Sequence, residues 1–115
     1  YAGSLFLPQV ARQSLDVSDR WQGYPGLPLK GAIQLLRMQV AVRQRLKLIQ
    51  QPIILFQGRR DTTVHADAGE IILQGISSMI KEHHWMENSS HPILLDGELD
   101  TVTNLSLLFM ERVLS

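Results

Sequence analysis

Cysteine is missing altogether from the 115 residues of this chain, which excludes disulfides, thiol nucleophiles and thiolate metal sites. That absence fits a cytoplasmic protein. An excess of charge is missing as well: 11 Lys and Arg balance 11 Asp and Glu. The balance offers no electrostatic footprint for nucleic acid or for an anionic membrane. Long apolar runs are also lacking. None approaches the ~18 residues of a spanning helix, and the opening YAGSLFLPQV has neither the basic lead nor the apolar stretch of a secretory signal. Nor does the chain open on Met; it starts at Tyr1, which reads as a piece cut from a longer protein.

What is present is ordinary globular material, 44% hydrophobic and 19% charged, without internal repeats or low-complexity tracts. A chain of this length forms one domain at most and buries roughly two thirds of its unfolded surface. Residues 1 to 28 are punctuated by Gly3, Pro8, Gly23, Pro25, Gly26 and Pro28 and read as loops and short turns, with Asp16 and Ser18 as caps for a short helix.

From Pro28 onward, LKGAIQLLRMQVAVRQRLKLI predicts a long helix that Pro52 ends. It has two apolar stripes, Leu29, Ile33, Leu36 and Val40 on one, Leu35, Met38, Val42, Leu46 and Ile49 on the other. A helix lying on a single core needs one stripe. Two stripes call for a second layer or another chain, unless the helix bends so that its halves face one core in turn.

Ile53 to Phe56 does not alternate and reads as a short strand buried on both faces. ADAGEIILQGISSMI follows as a helical segment with Ser77 and Ser78 at its end, KEHHWM as a second strand, and ENSSHP as a loop. GELDTVTNLSLLFMERVLS closes the chain as a helix with Val102, Leu105, Leu108, Phe109 and Val113 inward. The order helix, strand, helix, strand, helix is that of an α/β fold with parallel strands and a crossover helix. Two strands are too few to stand alone.

In open parallel sheets the loops leaving the carboxyl ends of the strands meet on one edge, where sites are built. In FQGRRDTTV, Asp61 leaves the first strand; His91 leaves the second. If the strands are neighbours, a carboxylate meets an imidazole, the orienting half of a Ser-His-Asp triad. The plainer readings are a turn-capping aspartate and an exposed loop histidine. His65, His83 and His84 match no zinc spacing, and adjacent strand residues point to opposite faces, so no metal or other cofactor is expected. Lys30, Arg37, Arg43, Arg45 and Lys47 point several ways around the long helix, as a solvated surface does. Arg59 and Arg60 flank the acid and could tune its charge, although a polar loop is the simpler reading; Trp85 and Phe56 read as core.

QQPIILFQGRRDTTVHADAGEIILQGI and HHWMENSSHPILLDGELDTVTNLSLLFMERVL together resemble the last third of α/β-hydrolase-fold serine esterases, particularly the carboxylesterase and monoacylglycerol-lipase-like group. The resemblance implies a carboxyl-terminal fragment of the α/β-hydrolase fold: short parallel strands with crossover and flanking helices. Residues 1–50 would be a cap or lid remnant and a long connecting helix, and residues 51–115 the carboxyl-terminal part of the core. By the same resemblance Asp61 is the triad acid, His91 the general base, Gly58 the turn glycine and Val64 the apolar residue after the acid.

Two departures stand out. Ser90 occupies the place where the group usually has glycine before the histidine, where it either crowds the loop or hydrogen-bonds within it. The G-x-S-x-G elbow of the nucleophile is not found; QGISSM lacks the second glycine and follows the acid instead of preceding it. The implied activity is hydrolysis of a small-molecule carboxylic ester with an apolar acyl or alcohol part. The serine would lie upstream of Tyr1, and the chain alone would be inert. The competing reading is a non-catalytic interaction module. In either case a bare strand edge and apolar helix faces predict self-association of this piece.

Overall fold

The run Ile53 to Phe56 is rich in β-formers and follows a proline that stops helical propagation. In the computed structural model, which describes residues 29–115, it forms strand β1, Ile53–Gly58. Strand β2 is Lys81–Met86, the KEHHWM segment. The two pair in parallel, Ile53 opposite Lys81 through to Gly58 opposite Met86. Helix α1 is Leu29–Arg45, α2 is Ala68–Gly75 and α3 is Leu99–Leu114. Helix α2 is the crossover between the strands. The expectations for residues 1 to 28 lie outside the described residues.

Side chains alternate along each strand, and this sorts the layers. Gln57 and His83 meet Gly69 of α2 on one face, while Glu82 pairs with Arg112 of α3 on the other. Val102 and Phe109 are the buried side chains of α3. Each such side chain taken from water stabilises the fold by about 1.5–3 kcal/mol. Leu108, expected inward, is 62% exposed. At 100° per residue it stands well away from the line through Val102, Leu105, Phe109 and Val113.

β1 runs two residues beyond the apolar run, and Ile53 to Phe56 are half-buried, not enclosed on both faces. Among the described residues the sheet holds two strands, so each strand keeps one open edge. The helical segment before β2 stops at Gly75, and Ile76 is already extended. A Cβ at Gly75 would lie 2.7 Å from Leu46 Cδ1, so this end of α2 is packed against the turn after α1. Ser77 is accordingly not a helix residue: its N–H donates to Ile49 O at 2.9 Å and its hydroxyl to Lys47 O at 2.8 Å.

Helix α1 gives way to a 3₁₀ turn, Leu46–Leu48, ahead of Pro52. Leu46 is buried, whereas Ile33, Leu36 and Val40 of one stripe and Leu35, Met38 and Val42 of the other are exposed. No helix among the described residues is long and apolar enough to cross a membrane.

Candidate active site

The ladder between β1 and β2 continues past both strands. Arg59 N–H donates to Met86 O at 2.8 Å and Arg60 N–H to Ser89 O at 3.0 Å, joining the two loops by their backbones. Asp61 follows at once. Its Oδ1 accepts the N–H groups of Thr63 at 2.7 Å and Val64 at 3.0 Å, the local turn that aspartate favours. Its Oδ2 faces His91 Nδ1 at 2.9 Å. The two sequence candidates, 30 residues apart, are therefore in direct contact.

The Asp61 side chain is 7% exposed and the His91 side chain 48%. Burial works against the Asp61 charge, but the His91 hydrogen bond and the Val64 and Thr63 amides outweigh it, holding the carboxyl below its ordinary value. An ionised carboxylate only accepts, so the neutral imidazole facing it carries its proton on Nδ1. Nε2 is then a lone-pair base, with no hydrogen-bond partner among the described residues.

Gly58 proves to be the last strand residue, and no described glycine has positive φ. The need for glycine here is space. A Cβ at Gly58 would lie 2.4 Å from Ser90 O and 2.5 Å from Ser89 O, so the histidine loop rests directly on the strand backbone. Ser90 does not crowd that loop: its N–H and its hydroxyl both donate to Asp96 Oδ2 at 2.6 Å.

Gln57, a buried polar residue not singled out in the sequence, fixes the other side of the rim. Its Nε2 donates to His65 O and Ala66 O, each at 3.1 Å, and its Oε1 accepts Gly69 N–H at 3.2 Å. Asp67, the residue before α2, makes no capping bond with its side chain. A strand amide thus satisfies one of the N–H groups that helices leave orphaned at their start. The only sequence signal was a glutamine at the end of an apolar run.

Between these supports lies an open cleft of about 190 Å³, lined by Leu55, Phe56, Val64, Ile72 and Ile93, with Asp61 and His91 at its wall. Phe56, read as core, is half-buried and lines the cleft. Arg59 and Arg60 turn away from the acid. Arg59 holds Glu87 at 3.0 Å and lies 3.9 Å over the Trp85 ring, and Arg60 meets Asn88 Oδ1 at 2.9 Å. His83 and His84 occupy opposite faces, the first beside Gly69 and Trp85, the second stacked on Phe56 and bonded to Glu82 at 3.0 Å. No cluster of three or more potential metal-ligating His, Asp or Glu residues occurs among the described residues.

Residues 10–98 match the family described as serine aminopeptidase, S33. The chain is 32% identical over 89 residues to a thermostable monoacylglycerol lipase of Bacillus sp. (strain H-257), covering 77% of this chain and 36% of that protein. It is 25% identical over 97 residues to a carboxylesterase of Bacillus subtilis (strain 168), covering 84% of this chain and 39% of that protein. Among solved structures it superimposes, at a TM-score of 0.73 and 31% identity, on a chain from work on two metagenome-derived lipolytic enzymes, LipS and LipT; 78% of this chain and 37% of that one are covered. The chain thus spans just over a third of the length of these relatives. A parallel strand-helix-strand unit, helices on both faces and a match over most of the sequence lead to one conclusion: this chain belongs to the serine aminopeptidase S33 family of the α/β-hydrolase fold.

Proposed function

We propose that the whole protein carrying this chain hydrolyses carboxylic esters through a serine nucleophile, with Asp61 as the orienting acid and His91 as the base. The observation that carries this reading is the 2.9 Å contact of His91 Nδ1 with a carboxylate whose other oxygen is held by two amides. Residues 1–50 then belong to a cap and connecting helix, and residues 51–115 to the core.

With these roles the steps are those of a Ser-His-Asp triad. Nε2 takes the serine proton as the hydroxyl oxygen attacks the ester carbonyl, and the carbonyl electrons move onto oxygen. The imidazolium formed is stabilised by Asp61. It returns the proton to the departing alkoxide as the acyl–oxygen bond breaks, leaving an acyl-enzyme and an alcohol. Water, giving a proton to the same nitrogen, then attacks the acyl carbon, and that proton passes to the serine oxygen as the acyl–serine bond breaks and the acid is released. Asp61 keeps its charge throughout. No residue of the chain sits on a G-x-S-x-G elbow, so the nucleophile and the oxyanion donors are assigned to other parts of the protein. The apolar lining of the cleft suits an ester with an apolar acyl or alcohol part. The lipase and carboxylesterase named among the relatives point the same way.

The test uses the whole protein, a serine-directed fluorophosphonate and a series of p-nitrophenyl esters beside an aminoacyl anilide. Labelling together with ester turnover is the expected result. Anilide turnover without ester turnover would move the substrate class to amides. Absence of labelling would leave a non-catalytic interaction module as the better account.

A further inference from the structure

The loop that presents His91 is held from behind by two acidic side chains, and their bonding has one pattern. Glu98 Oε2 accepts Asn88 N–H at 2.9 Å and the Ser89 hydroxyl at 2.6 Å. Asp96 Oδ2 accepts Ser90 N–H and the Ser90 hydroxyl, both at 2.6 Å. Each carboxylate therefore accepts one backbone N–H and one hydroxyl, and together the two hold three consecutive residues that lead into His91. Ser89 and Ser90 are 0% and 1% exposed, and Asp96 is 5% exposed. Four charge-assisted bonds, stronger than neutral ones, fix the chain on one side, and Gly58 fixes it on the other by direct backbone contact.

We propose that Asp96 and Glu98 are positioning residues for the general base, with Ser89 and Ser90 as their grips on the loop. The proposal rests on the triad reading above and deepens it: the carboxylates act on His91 through the loop and touch neither substrate nor serine. Asp96 makes both of its bonds to the loop through one oxygen. Its Oδ1 is buried without a partner among the described residues, an arrangement that costs about 1–3 kcal/mol. What the carboxylate does secure is geometry. The imidazole lies half in solvent and, among the described residues, has one side-chain partner, Asp61. Its placement therefore depends on the backbone from Asn88 to Ser90. The Ser90 hydroxyl adds a second grip on the same carboxylate oxygen that its N–H engages.

The test is made in the whole protein, with wild type and His91→Ala as references. Asp96→Ala should lower kcat about 100-fold, the loss expected from a displacement near 1 Å, with KM within about twofold of wild type. It should also remove the low-field proton resonance of His91 Nδ1–H. Asp96→Asn, whose amide oxygen still accepts both Ser90 donors, should restore the resonance and most of kcat. Should Asp96→Ala fail to fold, Ser90→Ala is decisive, because it keeps the N–H and the Cβ and deletes the hydroxyl alone. Its kcat should fall severalfold at unchanged KM, with an unaltered circular dichroism spectrum.

Wild-type kcat in whichever variant folds, or an Asn variant as impaired as the Ala variant, would overturn the positioning role while leaving the triad intact. A wild-type protein that is neither labelled by phosphonate nor active on esters would fail at the earlier reading, and this proposal would fall with it.

Discussion

Between Gly58 and Val64, and again between Met86 and Glu98, loop amides and hydroxyls find acceptors close at hand: Asp61, Met86, Ser89, Asp96 and Glu98. Helix α1 is the opposite case. Six large apolar side chains from Ile33 to Val42 stand between 42% and 61% exposed. The rim meets most of its donors with acceptors of its own, whereas the described residues leave the apolar faces of the helix uncovered. The difference shows which parts of the molecule carry their geometry with them. A polar network is satisfied over short distances and is specific to its partners; an apolar face is satisfied by any large complementary surface.

The sharpest way to break the rim is at its base. His91→Ala in the whole protein should lower kcat on esters by about a millionfold, and Asp61→Asn by about 10⁴ by leaving the ring in the wrong tautomer; single-turnover kinetics measure both. A steric insult should follow at lower amplitude. Gly58→Ala drives a methyl group into the Ser89 and Ser90 carbonyls, and overpacking of this kind costs about 1–3 kcal/mol. Urea denaturation reads that loss, and an accompanying fall in kcat would show that the contact serves the histidine as well as the fold.

Acid tests the same network more gently. The folded carboxyl of Asp61 lies below its unfolded value. Its contribution is therefore fully present above an unfolded pKa of about 3.9 and is lost as pH falls through the folded value. Stabilities of wild type and Asp61→Asn should converge below that range in urea titrations at stepped pH. The smallest effect concerns α1. We propose that the 115-residue chain, expressed by itself, self-associates through its bare apolar faces. Light scattering should report a dimer or larger species, and Leu36→Lys with Val40→Lys should reduce its mass. A monomer in both would overturn the self-association itself, and an oligomer of unaltered mass in both would mean that α1 is not the contact surface.

Much of the rim was legible because its chemistry is local in sequence. Asp61 and His91 each follow a strand at a distance set by one crossover, and Ile53 and Lys81 open the strands where the patterns place them. What stayed hidden depends on partners brought in by the fold. Gln57 looks like any polar residue ending an apolar run until the start of α2 arrives beneath it. Asp96 and Glu98 are unremarkable acids in a loop and at a helix start until the histidine loop lies across them. The early end of α2 is likewise a tertiary effect, since Gly75 is pressed against Leu46. Gly58 was marked for the wrong property, as a turn, when what the position requires is the lack of a side chain. Leu108 was misplaced by counting apolar residues without the helical angle.

The pairing of Arg59 with Met86 and of Arg60 with Ser89 extends the sheet ladder right up to the acid. A segment tethered in this way cannot swing aside without unzipping the ends of both strands. The cleft therefore has one wall that stays in place, a stationary jaw anchored to the strand ends.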